Sequence, residues 1–245
     1  GYYGGIRMLK AVAKLFFEYC MTHGIPFPKR NFTAEYKINV PRLVGLSGSS
    51  AICSAMLKAL MRFYGVDIPV EYAPTLCLEA ERDELGINCG YQDRVIQMYN
   101  GLVFMDFDRA YLERHEYGRY ERLDVSLLPK LYVAYDPNRA EESGKAHKKV
   151  KRLFDAKRPD ILSAMSEFAD IAQRGRDALA EGRPEALPEL IDANFDLRDR
   201  IFDVSEENRR MIRVARKAGS SAKFAGSGGA IVGTYEDDGQ FAHLS

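Results

Sequence analysis

Three sets of residues in this 245-residue chain have types and spacing that could do chemistry. The first is the stretch Gly45-Leu46-Ser47-Gly48-Ser49-Ser50-Ala51, which runs straight into an apolar pattern of helical period. Backbone N–H groups at a helix N-terminus have no intrahelical acceptor, so such a loop can face an anion. Gly45 and Gly48 allow a tight turn and close approach of a ligand. Ser47, Ser49 and Ser50 add hydroxyls, one of which could ligate Mg²⁺. The second set is Lys223-Phe224-Ala225-Gly226-Ser227-Gly228-Gly229-Ala230. The third is the acidic pair Glu81 and Asp93, lying between the two glycine stretches. A phosphate site followed by two carboxylates is what metal-assisted phosphoryl transfer needs. The metal neutralises the phosphates, and a carboxylate orients the attacking hydroxyl.

Each set has a plainer reading. The first loop could equally be a serine helix cap after a turn. It is not a Walker A motif, since no Lys stands where G-x-x-x-x-G-K-[ST] requires one. It is not a nucleophile elbow either, because Ser49 replaces the final Gly of G-x-S-x-G. A solitary carboxylate is usually solvated surface charge, and Glu79, Asp83 and Glu84 read that way. Arg94 follows Asp93 directly. It could stabilise that carboxylate, bind phosphate, or grip a carboxylate bidentately. An ion pair of purely structural purpose is as well supported. Ser143-Gly144-Lys145 opens a helix ahead of a basic run at 147–152 that reads as a solvated face. Ser143 and Lys145 are therefore the site candidates there. Lys223 and Ser227 are candidates in the second glycine stretch, whereas Phe224 and Ala225 read as core.

The elements that must position these residues follow from periodicity. Apolar residues at helical spacing predict helices over 6–19, 51–64, 75–84, 93–99, 145–154, 161–180, 184–201 and 206–218. Gly65 is the expected C-cap of the second of these. Alternation around Phe32, Ala34, Tyr36, Ile38 and Val40 predicts a strand over 31–40. Further strands are expected at 101–107, 131–135, 222–224 and 230–235. The pattern is α+β in two layered halves, with a boundary at 123–129.

Bulk properties exclude several function classes. Hydrophobic residues make up 46% and charged residues 29%, as in an ordinary globular protein. Lys plus Arg and Asp plus Glu each total 35, so general nucleic-acid binding, which needs a basic excess, is not expected. No apolar run reaches the length of a membrane span, and no secretory signal is visible. Cys20, Cys53, Cys77 and Cys89 form no C-x-x-C pair, and reduced thiols in a cytosol are expected. His23, His115, His147 and His243 do not cluster with them at zinc-ligand spacing. The chain begins at Gly1 and enters a helical pattern almost at once, which suggests that upstream sequence is missing.

Gly45 to Ala51, preceded by Pro41, resembles the phosphate-binding motif of the GHMP kinases. That family includes galactokinase, homoserine kinase, mevalonate kinase and phosphomevalonate kinase. Lys223 to Ala230 resembles its C-terminal glycine-rich motif. Ala80-Glu81 and Cys89-Gly90-Tyr91-Gln92-Asp93 resemble the intervening segment of galactokinase, from which Arg94 departs. Within the family, further stretches are most similar to the glucuronokinases. They are Gly1 to Gly5, Arg30-Asn31-Phe32-Thr33, Gln92-Asp93-Arg94-Val95, Val103 to Phe107, Ser143-Gly144-Lys145 and Asn194 to Arg198.

The resemblance implies a two-domain α+β fold. An N-terminal α/β domain at 1–125, lacking its first strands, would precede a ferredoxin-like domain at 126–245. It implies ATP and Mg²⁺ as cofactors and Gly45, Leu46, Ser47, Gly48, Ser49, Ser50 and Ala51 as the phosphate cradle. Ser50 and Glu81 would be the metal ligands and Asp93 the catalytic aspartate. Arg94, Ser143, Lys145, Gly226, Ser227 and Gly228 would face the acceptor. The implied reaction phosphorylates the anomeric hydroxyl of a sugar acid, D-glucuronate first. A different acceptor (galacturonate, a neutral sugar or a heptose phosphate) stays open, as does an inactive module that senses a nucleotide or sugar. The expected protein is a cytoplasmic monomer or homodimer with no membrane or nucleic-acid partner. Without the upstream strands, sheet edges and apolar surface would be left uncovered.

Overall fold

The computed structural model describes residues 6–41, 44–137 and 144–244. Residues 1–5 and Ser143, both singled out in the sequence, lie outside them. The chain forms two compact units. One contains the described residues up to Val40 together with Ser47–Leu123. The other contains Gly45 and Leu46 together with the residues from Asp124 on.

The first unit is mainly helical. Helix α1 (Arg7–Thr22) buries Leu9, Val12, Phe16 and Cys20, one stripe at the helical period. Helix α2 (Gly48–Tyr64) buries Cys53, Met56, Leu57, Leu60 and Tyr64 against it. Gly65 ends α2 in the left-handed region at φ +67°, the conformation a C-capping glycine supplies at little steric cost. Helix α3 (Ala73–Arg82) opens with Pro74, whose missing N–H costs nothing in a first turn. It packs on α1 and α2, and α4 (Gln92–Tyr99) packs on both α2 and α3. Phe17 meets Tyr64 edge-on at 5.4 Å in this core. Strand β1 (Leu102–Asp106) pairs antiparallel with β2 (Arg119–Leu123), and Asp106 lies opposite Arg119. Helix α5 (Arg109–His115) lies between them in the chain.

The predicted strand at 31–40 is not formed. The segment has no ladder partner among the described residues, and Phe32 and Ile38 are exposed. Alternation marks one face, but a strand also needs a neighbour for its N–H and C=O groups. Phe32 instead packs its ring on Phe63. Three short elements escaped the periodicity. β2 and α5 bury no residue, and neither does α10 (Asp238–Leu244), so none carries an apolar stripe.

The second unit is built on an antiparallel sheet of order β3-β5-β4, with β3 at Leu131–Tyr135, β4 at Lys223–Phe224 and β5 at Ala230–Thr234. Val133 and Lys223 both stand opposite Val232 on the central strand. Helices α6 (Gly144–Asp155), α7 (Pro159–Ala180), α8 (Leu187–Ile201) and α9 (Glu206–Lys217) complete the unit. The 184–186 part of the helix expected over 184–201 is a single 3₁₀ turn ahead of α8. Tyr132, Phe195, Ile212, Phe224 and Ile231 form the core, with Phe195 edge-on to Phe224 at 5.3 Å. No helix of the described residues is long and apolar enough to cross a membrane.

Candidate active site

The first glycine stretch divides between the units: Gly45 and Leu46 pack with the second, Ser47 to Ala51 with the first. Ser47 holds the N-cap position of α2, but its side chain makes no capping hydrogen bond. It sits in the left-handed region at φ +56° and ψ +36°. For a residue other than glycine that conformation costs of order 1–3 kcal/mol, and the surrounding structure must hold it. Three donors do so through the Ser47 carbonyl: Ser50 Oγ at 2.9 Å, the Ala51 N–H at 3.1 Å and Gln97 Nε2 at 3.1 Å. The carbonyl is thereby committed to the fold. The N–H groups of Gly48, Ser49 and Ser50 begin the helix without a side-chain cap. Ser50 is fully buried. Its proton is spent on Ser47, and its oxygen lone pairs remain for an electrophile.

Gln97 was not legible as a site residue, although it stands one helical turn after Asp93 on α4. It also accepts from Ser54 Oγ of α2 at 3.1 Å. One amide thus ties the helix carrying Asp93 to the turn that opens α2.

Glu81, in the last turn of α3, has no exposed surface. Arg94 of α4 donates to Glu81 Oε2 from Nε at 2.9 Å and also from Nη2. Its Nη1 donates to the Gly90 carbonyl at 2.6 Å. Arg94 is 2% exposed, so each of its three nitrogens serves the fold and little surface is left for a substrate. Of the sequence readings of Arg94, the structural ion pair is the one this geometry displays. Glu81 Oε1 is buried and has no hydrogen-bond partner. A buried carboxylate oxygen without a partner is costly, and a hard cation would satisfy it. Mg²⁺ keeps waters and phosphate oxygens and takes only one or two carboxylates, so a lone carboxylate such as Glu81 and a hydroxyl such as that of Ser50 are each donor types it accepts. Among the described residues no three His, Cys, Asp or Glu side chains converge, and such a site needs none.

Asp93 is in the first turn of α4, with its side chain 45% exposed. Its Oδ2 is 3.9 Å from Arg94 Nη1. Burial raises the thiols of Cys53, Cys77 and Cys89, with Cys77 reaching about 12. The cysteines near the pair are therefore neutral and offer no competing thiolate. Of the three carboxylates read from the sequence as solvated surface charge, Asp83 is exposed and paired with Arg82 at 2.7 Å. Glu84 is held by Lys14 at 2.6 Å and mostly covered. Glu79 is half-buried, and burial pushes its carboxyl up. Glu79 and Glu84 are thus less solvated than the sequence suggested.

In the second unit the two glycine motifs meet backbone to backbone. Gly45 has φ +75°, and a Cβ there would lie 2.0 Å from the Gly228 carbonyl oxygen. A Cβ on Gly226 would lie 2.7 Å from the Gly45 carbonyl oxygen. Asn208, buried on α9 and unremarked in the sequence, accepts from the Gly229 N–H at 3.1 Å. Arg198 of α8 donates to the Ser227 carbonyl at 3.3 Å. Gly48 differs: its Cβ would make only ordinary contact with Ile38 at 3.7 Å. Folding requires glycine at Gly45, not at Gly48. Lys145 is the second residue of α6, and its side chain lies outside the described residues.

Residues 7–101 match the GHMP kinases N terminal domain, and residues 176–243 match the GHMP kinases C terminal domain. Over 95% of this chain, the sequence is 47% identical to Probable glucuronokinase 2 and 44% identical to Glucuronokinase 1, both of Arabidopsis thaliana. The chain spans 64% and 65% of the length of those two relatives. Among solved structures, Streptococcus pneumoniae phosphomevalonate kinase in complex with phosphomevalonate and AMPPNP superposes with a TM-score of 0.73. That match covers 98% of this chain and 76% of the other at 16% identity, a likeness of fold.

Proposed function

The chain belongs to the GHMP kinase family, and on that premise we propose that the protein is an ATP-dependent sugar-acid kinase. It transfers a phosphoryl group to the anomeric hydroxyl of D-glucuronate and yields the 1-phosphate. The acceptor is inferred from the names of the two plant relatives and their identity over 95% of this chain. The observation that carries the phosphotransfer reading is the buried, unpartnered Oε1 of Glu81.

Roles for the side chains follow from their surroundings. The uncapped first turn of α2 offers N–H groups to the nucleotide phosphates. Glu81 Oε1 and Ser50 Oγ would hold Mg²⁺, which when bound neutralises phosphate charge. Arg94 fixes the orientation of Glu81 by loading the other oxygen. Asp93, open to solvent beside the pair, accepts the proton of the acceptor hydroxyl or orients that hydroxyl. Gln97 holds the Ser47 turn in register with the helix that carries Asp93.

The test is phosphoryl transfer by the full-length protein from ATP to a panel of D-glucuronate, D-galacturonate and D-glucose, with the product identified by ³¹P NMR. Formation of an anomeric phosphate on glucuronate, with much slower transfer to the other two, is expected. Transfer to none of the sugars would overturn the kinase assignment. Preference for galacturonate or glucose would overturn the acceptor.

A further inference from the structure

Most cations of the second unit are paired. Around α8 and α9, Arg200 meets Glu167, Arg209 meets Asp199 at 2.8 Å, and Arg216 meets Asp192 at 3.0 Å and Asp196 at 2.8 Å. Two half-buried cations beside the second glycine loop break the pattern. Arg198 lies with its guanidinium carbon 4.8 Å from the centre of the Phe202 ring and 5.2 Å from that of Phe224. Its one hydrogen bond among the described residues is from Nη2 to the Ser227 carbonyl at 3.3 Å, so Nε and Nη1 have no acceptor there. Lys223, at the start of β4, donates only to the Phe224 carbonyl at 3.0 Å. Neither meets a carboxylate among the described residues.

Burying two like charges side by side is unfavourable unless an anion joins them. Burial pushes both groups down, and for Lys223 the neighbouring Arg198 adds to the effect, taking the amine to about 8. The aromatic rings hold the guanidinium plane, and Nε and Nη1 remain as donors for an oxyanion. We propose that Arg198 and Lys223, beside the 226–229 loop, form an anion site that takes the carboxylate of the sugar acid. The assignment rests on the uronate reading above. A phosphate oxygen has the same chemistry, and the nucleotide is its other possible source.

The experiment uses the full-length protein with Arg198→Gln, Arg198→Lys and Lys223→Met. It measures KM for D-glucuronate, D-glucose and ATP, together with calorimetric binding of D-glucuronate. Removing one partner of a buried charge pair costs enough to weaken binding roughly 30-fold or more. Arg198→Gln and Lys223→Met should raise the glucuronate KM and Kd on that scale, leaving the ATP KM within about twofold. Arg198→Lys, which keeps charge but loses the planar set of donors, should fall between. Unchanged glucuronate constants in variants that melt like the wild type would overturn the site. A raised ATP KM with unchanged glucuronate binding would assign the anion to the nucleotide and overturn the carboxylate assignment. A wild type that treats glucose and glucuronate alike would instead sink the acceptor reading beneath it.

Discussion

Arg94 sets two nitrogens, Nε and Nη2, on Oε2 of Glu81, and Oε1 of the same carboxylate is buried with no partner. The arginine therefore fixes the carboxylate's direction without filling its coordination. A symmetric fork across both oxygens would have closed the site to a cation. Loading one oxygen alone leaves Oε1 directed and open, as the proposed metal role requires, and the neighbour that does so is itself anchored on the Gly90 carbonyl. Outer partners of this kind commonly set how well a ligand presents itself to a metal.

Arg94→Met should be severely destabilising, because it leaves Glu81 buried and unpaired. Breaking a buried pair from one side costs about 3–5 kcal/mol. Chemical denaturation of the two proteins at one pH checks this. The double variant Glu81→Leu/Arg94→Met should recover much of the loss, since it removes the orphaned charge. A double variant as unstable as the single one would show that the cost lies in packing.

Gly45→Ala and Gly48→Ala should separate fold from ligand. The first drives a Cβ into the Gly228 carbonyl oxygen at 2.0 Å from a positive φ, and should cost stability by at least 1–3 kcal/mol. The second has room and should melt as the wild type does or slightly higher. It should still reduce kcat/KM for ATP by roughly 10- to 100-fold if phosphate approaches that backbone closely. Normal ATP kinetics in Gly48→Ala would argue against a phosphate there.

Asp93→Asn should cut kcat by roughly 10²-fold or more, the scale for losing a positioned acid–base group. Stability and the ATP KM should change little, because the side chain is 45% exposed. Steady-state kinetics beside a melting curve make the comparison. Near-normal turnover would remove Asp93 from the reaction.

The pH dependence follows from Lys223. Its amine is near 8 in the folded protein against an ordinary 10.5. Across that interval the unfolded chain holds the extra proton, so this group makes stability rise as pH rises. The proposed carboxylate binding would run the other way, because the ammonium is lost above about 8 and Kd should climb by up to tenfold per pH unit. The charged groups near Lys223 from the packed α8 are Arg198 and Asp192. Asp192 is already engaged by Arg216 and the Ala222 N–H. Strand β5 contributes no titratable side chain. Calorimetry between about pH 7 and about pH 9.5 should show the loss of affinity in the wild type and a flat profile in Lys223→Met.

Much of this was legible in the sequence, and the failures have physical causes. Helices with a buried stripe, such as α1 and α2, announced themselves because 3.6-residue periodicity is the footprint of one packed face. The strand reading at 31–40 failed because alternation describes a face, whereas pairing depends on a partner remote in sequence. Glu81 and Asp93 stood out by their place between two glycine motifs. Gln97, Asn208 and Arg198 did not, since each acts through a backbone carbonyl or N–H brought near only by folding. The glycines of the two motifs looked like parallel ligand loops. Gly45 and Gly226 are in fact needed, at least in part, because each would collide with the other motif's backbone.

The metal-site assignment is tested most directly by Mn²⁺ binding to the full-length protein in the presence of ADP, followed by EPR. Glu81→Gln and Ser50→Ala are the variants, and a melting curve accompanies each. The prediction is a tight Mn²⁺–ADP site in the wild type. Folded variants should be weakened by roughly 10- to 100-fold, most in Glu81→Gln, the scale seen when a metal's supporting groups are altered. Equal Mn²⁺ affinity in the wild type and a folded Glu81→Gln protein would contradict the assignment of Oε1 to the metal.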